Sequence, residues 1–112
     1  MKLIIAGGRE YCFNKEDILF LRTIKDKVTE VVSGCAKGAD SEGEKWAVYH
    51  NIPIIKFPAE WKQYGRRAGP LRNQQMAEYA DGVVLFQGGI GTKSMFNIAT
   101  KEGLTIYDRR NG

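Results

Sequence analysis

Val83-Val84-Leu85-Phe86 is an apolar run that passes directly into Gln87-Gly88-Gly89-Ile90-Gly91-Thr92. A short apolar run bounded by turn residues reads as a buried strand. The glycines mark a turn, and residues 93–102 beyond it read as a helix. Strand, glycine turn and helix start together form a geometry that holds an anionic group. The first helical N–H groups have no partner inside the helix, and the helix dipole makes that end positive. Gly88, Gly89 and Gly91 carry no Cβ, so a ligand can approach the backbone closely. A sheet is needed to present such a turn, and the remainder of the chain reads as that sheet.

The same grammar recurs from the start. Residues 2–6 read as a first strand ending in Gly7-Gly8-Arg9. Over residues 13–28 the period changes: Ile18, Leu21, Ile24 and Val28 recur at helical spacing, and Leu19 widens the stripe. Asn14 is placed to cap this helix, with Asp17 three residues on. Val31 and Val32 close a second strand, which ends in Ser33-Gly34-Cys35-Ala36-Lys37-Gly38-Ala39-Asp40. A second helix is expected over 38–50, touching the sheet through Ala39, Trp46, Ala47 and either Tyr49 or His50. Gly43 weakens it.

Residues 52–57 read as a third strand, with Pro53 tolerable near its start. Residues 58–69 show no clear period and carry Trp61, Tyr64, Gly65, Arg66 and Arg67, which marks a functional loop. Pro70 suits the first turn of a helix that runs through Leu71, Met76 and Tyr79 to Ala80. Asp81-Gly82 turns into the fourth strand. The last helix follows Thr92, with Met95, Phe96, Ile98 and Ala99 as its inner face, and Gly103 ends it. Residues 104–107 read as a fifth strand, and the tail over 108–112 reads as polar and frayed.

Five strands alternating with four helices predict an α/β fold, a Rossmann-like three-layer sandwich around a parallel sheet. With right-handed crossovers, the expected strand order is 3-2-1-4-5. That order puts the topological switch between strands one and four. Ligands bind at the carboxyl ends of the strands beside such a switch. The glycine-bearing turns after strands one, two and four all fall on that edge. At 112 residues the whole chain reads as one domain, which buries roughly two-thirds of its unfolded surface.

Composition narrows the chemistry. Cys12 and Cys35 are far apart and lie in no CxxC or Cys/His pattern, and His50 is the sole histidine. A zinc site is therefore not expected, and both cysteines read as reduced, space-filling thiols. The opening apolar run is too short for a signal peptide or a membrane span, so a soluble cytoplasmic protein is expected. The net charge of +4 and pI near 9.1 favour an anionic partner, either a small phosphorylated ligand or nucleic acid.

The turn over 88–92 is not a P-loop, which needs glycine just before the Lys-Ser pair; here Thr92 precedes Lys93-Ser94. A dinucleotide fingerprint fails too, because Ser94 stands where glycine or alanine is required. What remains is a phosphate turn or a tight packing turn. Arg9 after Gly7-Gly8 offers a fork of donors to a phosphate or stays solvated. Ser33 and Lys37 can donate to an anion. Asp40 either accepts from ribose hydroxyls or is an ordinary helix-start acid. Arg66, Arg67 and Arg72, with Trp61 and Tyr64 nearby, suit base stacking and phosphate pairing or form an exposed basic loop. Arg72 and Asn73 open the helix before strand four and are within reach of the pocket. Trp46 reads as core, and His50 is assigned no catalytic role.

Three segments together resemble the YspA-type branch of the SLOG superfamily: residues 33–40, Gly69-Pro70-Leu71-Arg72-Asn73 with Met76, and Gly88-Gly89-Ile90-Gly91-Thr92. The segment from Ala59 to Trp61 before Gly65 fits as well, and the resemblance covers nearly the whole chain. Relatives include the "lonely guy" phosphoribohydrolases and DNA-processing protein A. The resemblance implies a Rossmann-like fold that binds nucleotides or nucleotide-derived ligands, including NAD-related and ADP-ribose-type signals. It also implies links to phage and prokaryotic conflict systems, and self-association into a homo-oligomer. The phosphoribohydrolases carry a glutamate three positions after the turn threonine. Here that position is Met95, whose thioether cannot do a carboxylate's work on a sugar.

The resulting expectation is a site without catalytic residues, metal or cofactor. A nucleotide ligand would be held by Gly7, Gly8, Arg9, Ser33, Gly34, Lys37, Gly38, Asp40, Arg72, Asn73, Gly88, Gly89, Gly91 and Thr92. A hydrolase of N-glycosidic bonds is the second reading. A single-stranded DNA binder, resting on pI and Arg66/Arg67, is the third.

Overall fold

A computed structural model describes residues 1–110. Five parallel strands are interleaved with helices: β1 (Lys2–Ala6), α1 (Lys15–Ile24), β2 (Glu30–Ser33), α2 (Ala39–Tyr49), β3 (Ile54–Lys56), α3 (Trp61–Tyr64), α4 (Ala68–Tyr79), β4 (Gly82–Leu85), α5 (Ile90–Glu102) and β5 (Thr105–Asp108). The sheet order is β3-β2-β1-β4-β5, as the alternation required. In register, Ile4 of β1 lies between Val32 of β2 and Val83 of β4.

Alternation along each strand feeds two cores. Leu3, Ile5, Val31 and Val84 pack with Leu21, Ile24, Trp46 and Ala47 of α1 and α2. Ile4, Ala6, Val32, Val83 and Leu85 pack on the other face with Met76, Ala77, Met95 and Ala99 of α4 and α5. Gly43 has a packing reason: a Cβ there would lie 2.8 Å from Ile5 Cγ2, so α2 comes down close onto β1.

The first helix differs from its expected form. It covers Lys15–Ile24, and a 3₁₀ turn follows over Lys25–Lys27. Ile18 and Leu19 are 36% and 47% exposed, while Asp17 is buried. The capping box is the cause. Asn14 Oδ1 accepts from the Asp17 N–H at 2.9 Å, and Asp17 Oδ2 accepts from the Asn14 N–H at 3.0 Å and from the Tyr11 hydroxyl at 2.5 Å. The first turn of α1 thus faces inward with a carboxylate rather than with Ile18. Burial, then the bond to Asp17, pushes the Tyr11 phenol up to about 12. Phe20 packs edge-on against Tyr107 of β5. On α2, Tyr49 is exposed, whereas His50 sits edge-on to buried Trp46.

The segment over 58–69 is not a plain loop. It holds the single turn α3 and a 3₁₀ turn over Gly65–Arg67, and α4 begins at Ala68, ahead of Pro70. Pro70 is tolerated because first-turn N–H groups have no intrahelical acceptor. Likewise α5 starts at Ile90, so Gly91 and Thr92 belong to its first turn rather than preceding it. The tail is tied down as far as it is described. Asp108 is in β5, the Arg109 N–H donates to Leu85 O at 2.8 Å, and Arg110 pairs with Asp108 at 2.8 Å. Asn111 and Gly112 lie outside the described residues. Among those described, no helix is long and apolar enough to cross a membrane.

Candidate functional site

A cavity of about 730 Å³ opens at the carboxyl ends of the strands. The turn after β1 contributes Gly7, Gly8 and Arg9; the turn after β2 contributes Gly34, Cys35, Ala36 and Asp40. Arg72, Asn73 and Met76 come from α4, and Gly89, Gly91, Thr92, Ser94 and Met95 from the β4–α5 junction. Pro58, Ala59, Trp61, Arg66, Gly69 and Pro70 form a further wall.

Gly8 joins the three turns. Its N–H donates to Gln87 O at 2.9 Å, and its carbonyl accepts from the Ala39 N–H at 3.1 Å and the Tyr11 N–H at 3.2 Å. The start of α2 is therefore already occupied by a backbone carbonyl. Gly38, at φ 75°, makes this possible, because a Cβ there would run into the Gly8 carbonyl and Arg9. Gly88 serves the same convergence: a Cβ would collide with Thr92 Oγ1 and lie 2.6 Å from Gly8 N.

Arg72 spans the cavity floor. Its Nη1 donates to Gly34 O at 2.5 Å and its Nε to Asn73 Oδ1 at 3.0 Å; Asn73 Nδ2 donates in turn to Gly91 O at 3.4 Å. Two of its nitrogens are thus fixed, which pre-orients the guanidinium. Burial lowers its pKa, while nearby Asp40 pulls the other way. Asp40 Oδ2 accepts from the Ala36 N–H at 3.1 Å. Burial pushes this carboxyl above its ordinary value, against the hydrogen bond from Ala36 and the charge of Arg72. Asp40 is the one carboxylate among the cavity-lining residues; the arginines are Arg9, Arg66 and Arg72.

Other expected site residues lie elsewhere. Ser33 is buried under the turn, its hydroxyl donating to Glu44 Oε2 at 2.5 Å and accepting from the Cys35 N–H at 3.0 Å. Lys37, Gly38 and Gly88 are not part of the lining: Lys37 is exposed, and the two glycines serve backbone approach. Glu42 accepts from the Phe13 N–H at 2.9 Å, bracing the β1 loop. Cys35 sits at φ 64° on the rim, and burial followed by the Glu44 charge raises its thiol pKa, which disfavours a reactive thiolate. Among the described residues, no three His, Cys, Asp or Glu side chains come together as a metal site would need.

Met95 is 1% exposed and forms part of the floor beside Thr92. The expected ligand set omits Ala36, Ser94 and the wall from Pro58 to Pro70, although Trp61 and Arg66 of that wall carry the residue types suited to base stacking and phosphate pairing.

The family model for the YspA, cpYpsA-related SLOG family matches residues 1–64, which run from β1 through α3. The chain belongs to this SLOG family. The Gene 61 protein of Mycobacterium phage D29 is 33% identical over 86 residues, 70% of this chain and 69% of that protein. In fold, the SLOG chain is similar to DNA processing protein A (DprA) from Streptococcus pneumoniae, with a TM-score of 0.72 and 18% identity over 96% of this chain. It spans 49% of that longer chain, about half its length. TM1055, a structural-genomics target, superposes with a TM-score of 0.68 at 19% identity, covering 95% of this chain and 72% of its own. The shared architecture is the Rossmann-like parallel sheet flanked by helices.

Proposed function

We propose that this SLOG domain binds a nucleotide-derived ligand, an NAD- or ADP-ribose-related molecule, and holds it without turnover. The observation that carries the reading is the open start of α5 facing a cavity that also contains Arg72. The first-turn N–H groups of Ile90, Gly91 and Thr92 have no intrahelical acceptor, Thr92 lies beside them, and a pre-oriented guanidinium completes an anion cradle. The volume of about 730 Å³ lies within the roughly 300–1,000 Å³ of pockets that take whole small molecules. A lone phosphate would leave most of it empty. The ADP-ribose component comes from family resemblance, as does a role in sensing or sequestering a signal in a conflict between phage and host.

Calorimetry with AMP, NAD, ADP-ribose and cyclic ADP-ribose tests this reading. Saturable binding of at least one is expected. Thr92→Val and Arg72→Ala should each weaken it about tenfold or more, the equivalent of about 1.4 kcal/mol. No saturable binding to any of the four sinks the proposal.

Asp40 supports one competing reading. A buried carboxyl with a raised pKa inside a cavity is a candidate proton donor for N-glycosidic cleavage. Chromatography of the ligand after incubation separates the two. Intact nucleotide recovered after denaturing the protein supports a binder. Free base and ribose phosphate, abolished by Asp40→Asn, would establish a hydrolase.

A further inference from the structure

The wall of the cavity farthest in sequence from its glycine turns carries an aromatic surface. Trp61 opens α3, lines the cavity and is 49% exposed. The second tryptophan, Trp46, is 6% exposed in the core, so the two indoles have different fates in one small domain. Trp61 is positioned from two sides. Its six-membered ring passes over Gly69 so closely that a Cβ there would lie 3.3 Å from Cη2. The guanidinium of Arg9, from the turn after β1, stands 6.0 Å from the ring centroid. That distance is the outer limit of a cation–π contact, so Arg9 flanks the indole without being seated on it.

A half-exposed indole in a cavity wall keeps apolar area in water that the fold itself does not use. Lining the same cavity as the start of α5 and Arg72, it suits a ligand with both a phosphate and a flat π-surface. A sugar phosphate supplies the first but not the second.

We propose that Trp61 is the residue through which this cavity selects for an aromatic heterocycle: the base of the ligand lies on the Trp61 indole, with Arg9 at its edge, while the phosphate is held at the start of α5. This rests on the nucleotide reading above and adds a specificity-determining residue to it. Stacking of one base on an aromatic side chain contributes a factor of about five to a hundred in affinity. The site therefore prefers a nucleotide to the matching ribose phosphate by a factor in that range.

The test is calorimetry on the full chain with AMP and with ribose 5-phosphate, comparing wild type, Trp61→Ala and Trp61→Phe, with thermal melts of each. Wild type should bind AMP at least fivefold more tightly than ribose 5-phosphate. Trp61→Ala should remove that preference and leave ribose 5-phosphate affinity within about twofold, and Trp61→Phe should restore most of the preference. The melts should agree closely, because Trp61 is outside both cores. If Trp61→Ala weakens both ligands equally, or neither, the stacking role is overturned while the anion cradle stands. If wild type binds neither ligand nor any other nucleotide of the panel, both proposals fall together.

Discussion

The β2–α2 and β4–α5 connections read alike in sequence, each a glycine-bearing turn leading into a helix. They do opposite things. At the start of α2, the Ala39 N–H is taken by Gly8 O, the Cys35 N–H by Ser33, and the Ala36 N–H by Asp40. That turn spends its donors on the protein itself. Neither helix has a side-chain cap, but at the start of α5 Gly91 has open space where a Cβ would stand. One connection braces the edge of the sheet, and the other is left available. A glycine-rich turn before a helix is thus a statement about backbone approach. Whether the approaching group is a ligand or a neighbouring loop is decided by what the fold brings to it.

The contrast can be broken most severely at Gly38. Gly38→Ala puts a Cβ into the Gly8 carbonyl at φ 75°. At φ 75° and ψ −124° the backbone is in a region essentially reserved for glycine, where strain costs roughly 1–3 kcal/mol, and overpacking costs roughly 1–3. A total loss of about 3 kcal/mol or more should appear in urea denaturation. Next comes Ser33→Ala, which removes the hydroxyl partner of half-buried Glu44 and of the Cys35 N–H. About 1–3 kcal/mol of stability should be lost, with nucleotide affinity nearly unchanged once folding is accounted for.

Gly91→Ala sharpens the comparison from the open side. Helix propensity favours alanine by about 0.5–1 kcal/mol, so the variant should melt higher while binding ligand more weakly. A rise in both would show that the open turn is not a grip. The smallest effect is read as a slope. Asp40's folded pKa is raised, so in the window between its ordinary and raised values the folded chain holds a proton that the unfolded chain has released. Stability should therefore fall as pH rises through that window, and Asp40→Asn should flatten this limb in denaturation curves taken across pH.

The fold was legible because five apolar runs alternate with helical periods, and the connection rules leave few orders for such a pattern. Boundaries slipped where local hydrogen bonding overrode hydropathy. Asp17 displaced Ile18 from the inner face because its carboxylate serves the cap, and α3 is too short to show a period. At the site, glycines and arginines could be placed on the correct edge from topology alone. The partners of Ser33 could not, since Glu44 lies beyond the turn in α2 and nothing in its spacing announces the bond. Lys37 shares a turn with Ser33 and Gly34, yet it is exposed and outside the cavity lining.

Arg72 reaches back to Gly34 across 38 positions, and β4 pairs with β1 through Leu3 and Gly82. The pocket thus has no local precursor in the chain. A nascent polypeptide that has exposed β1, β2 and β3 still lacks both the arginine and the α5 cradle. Under the proposed function, a ligand can therefore be held only once both halves of the sheet have come together.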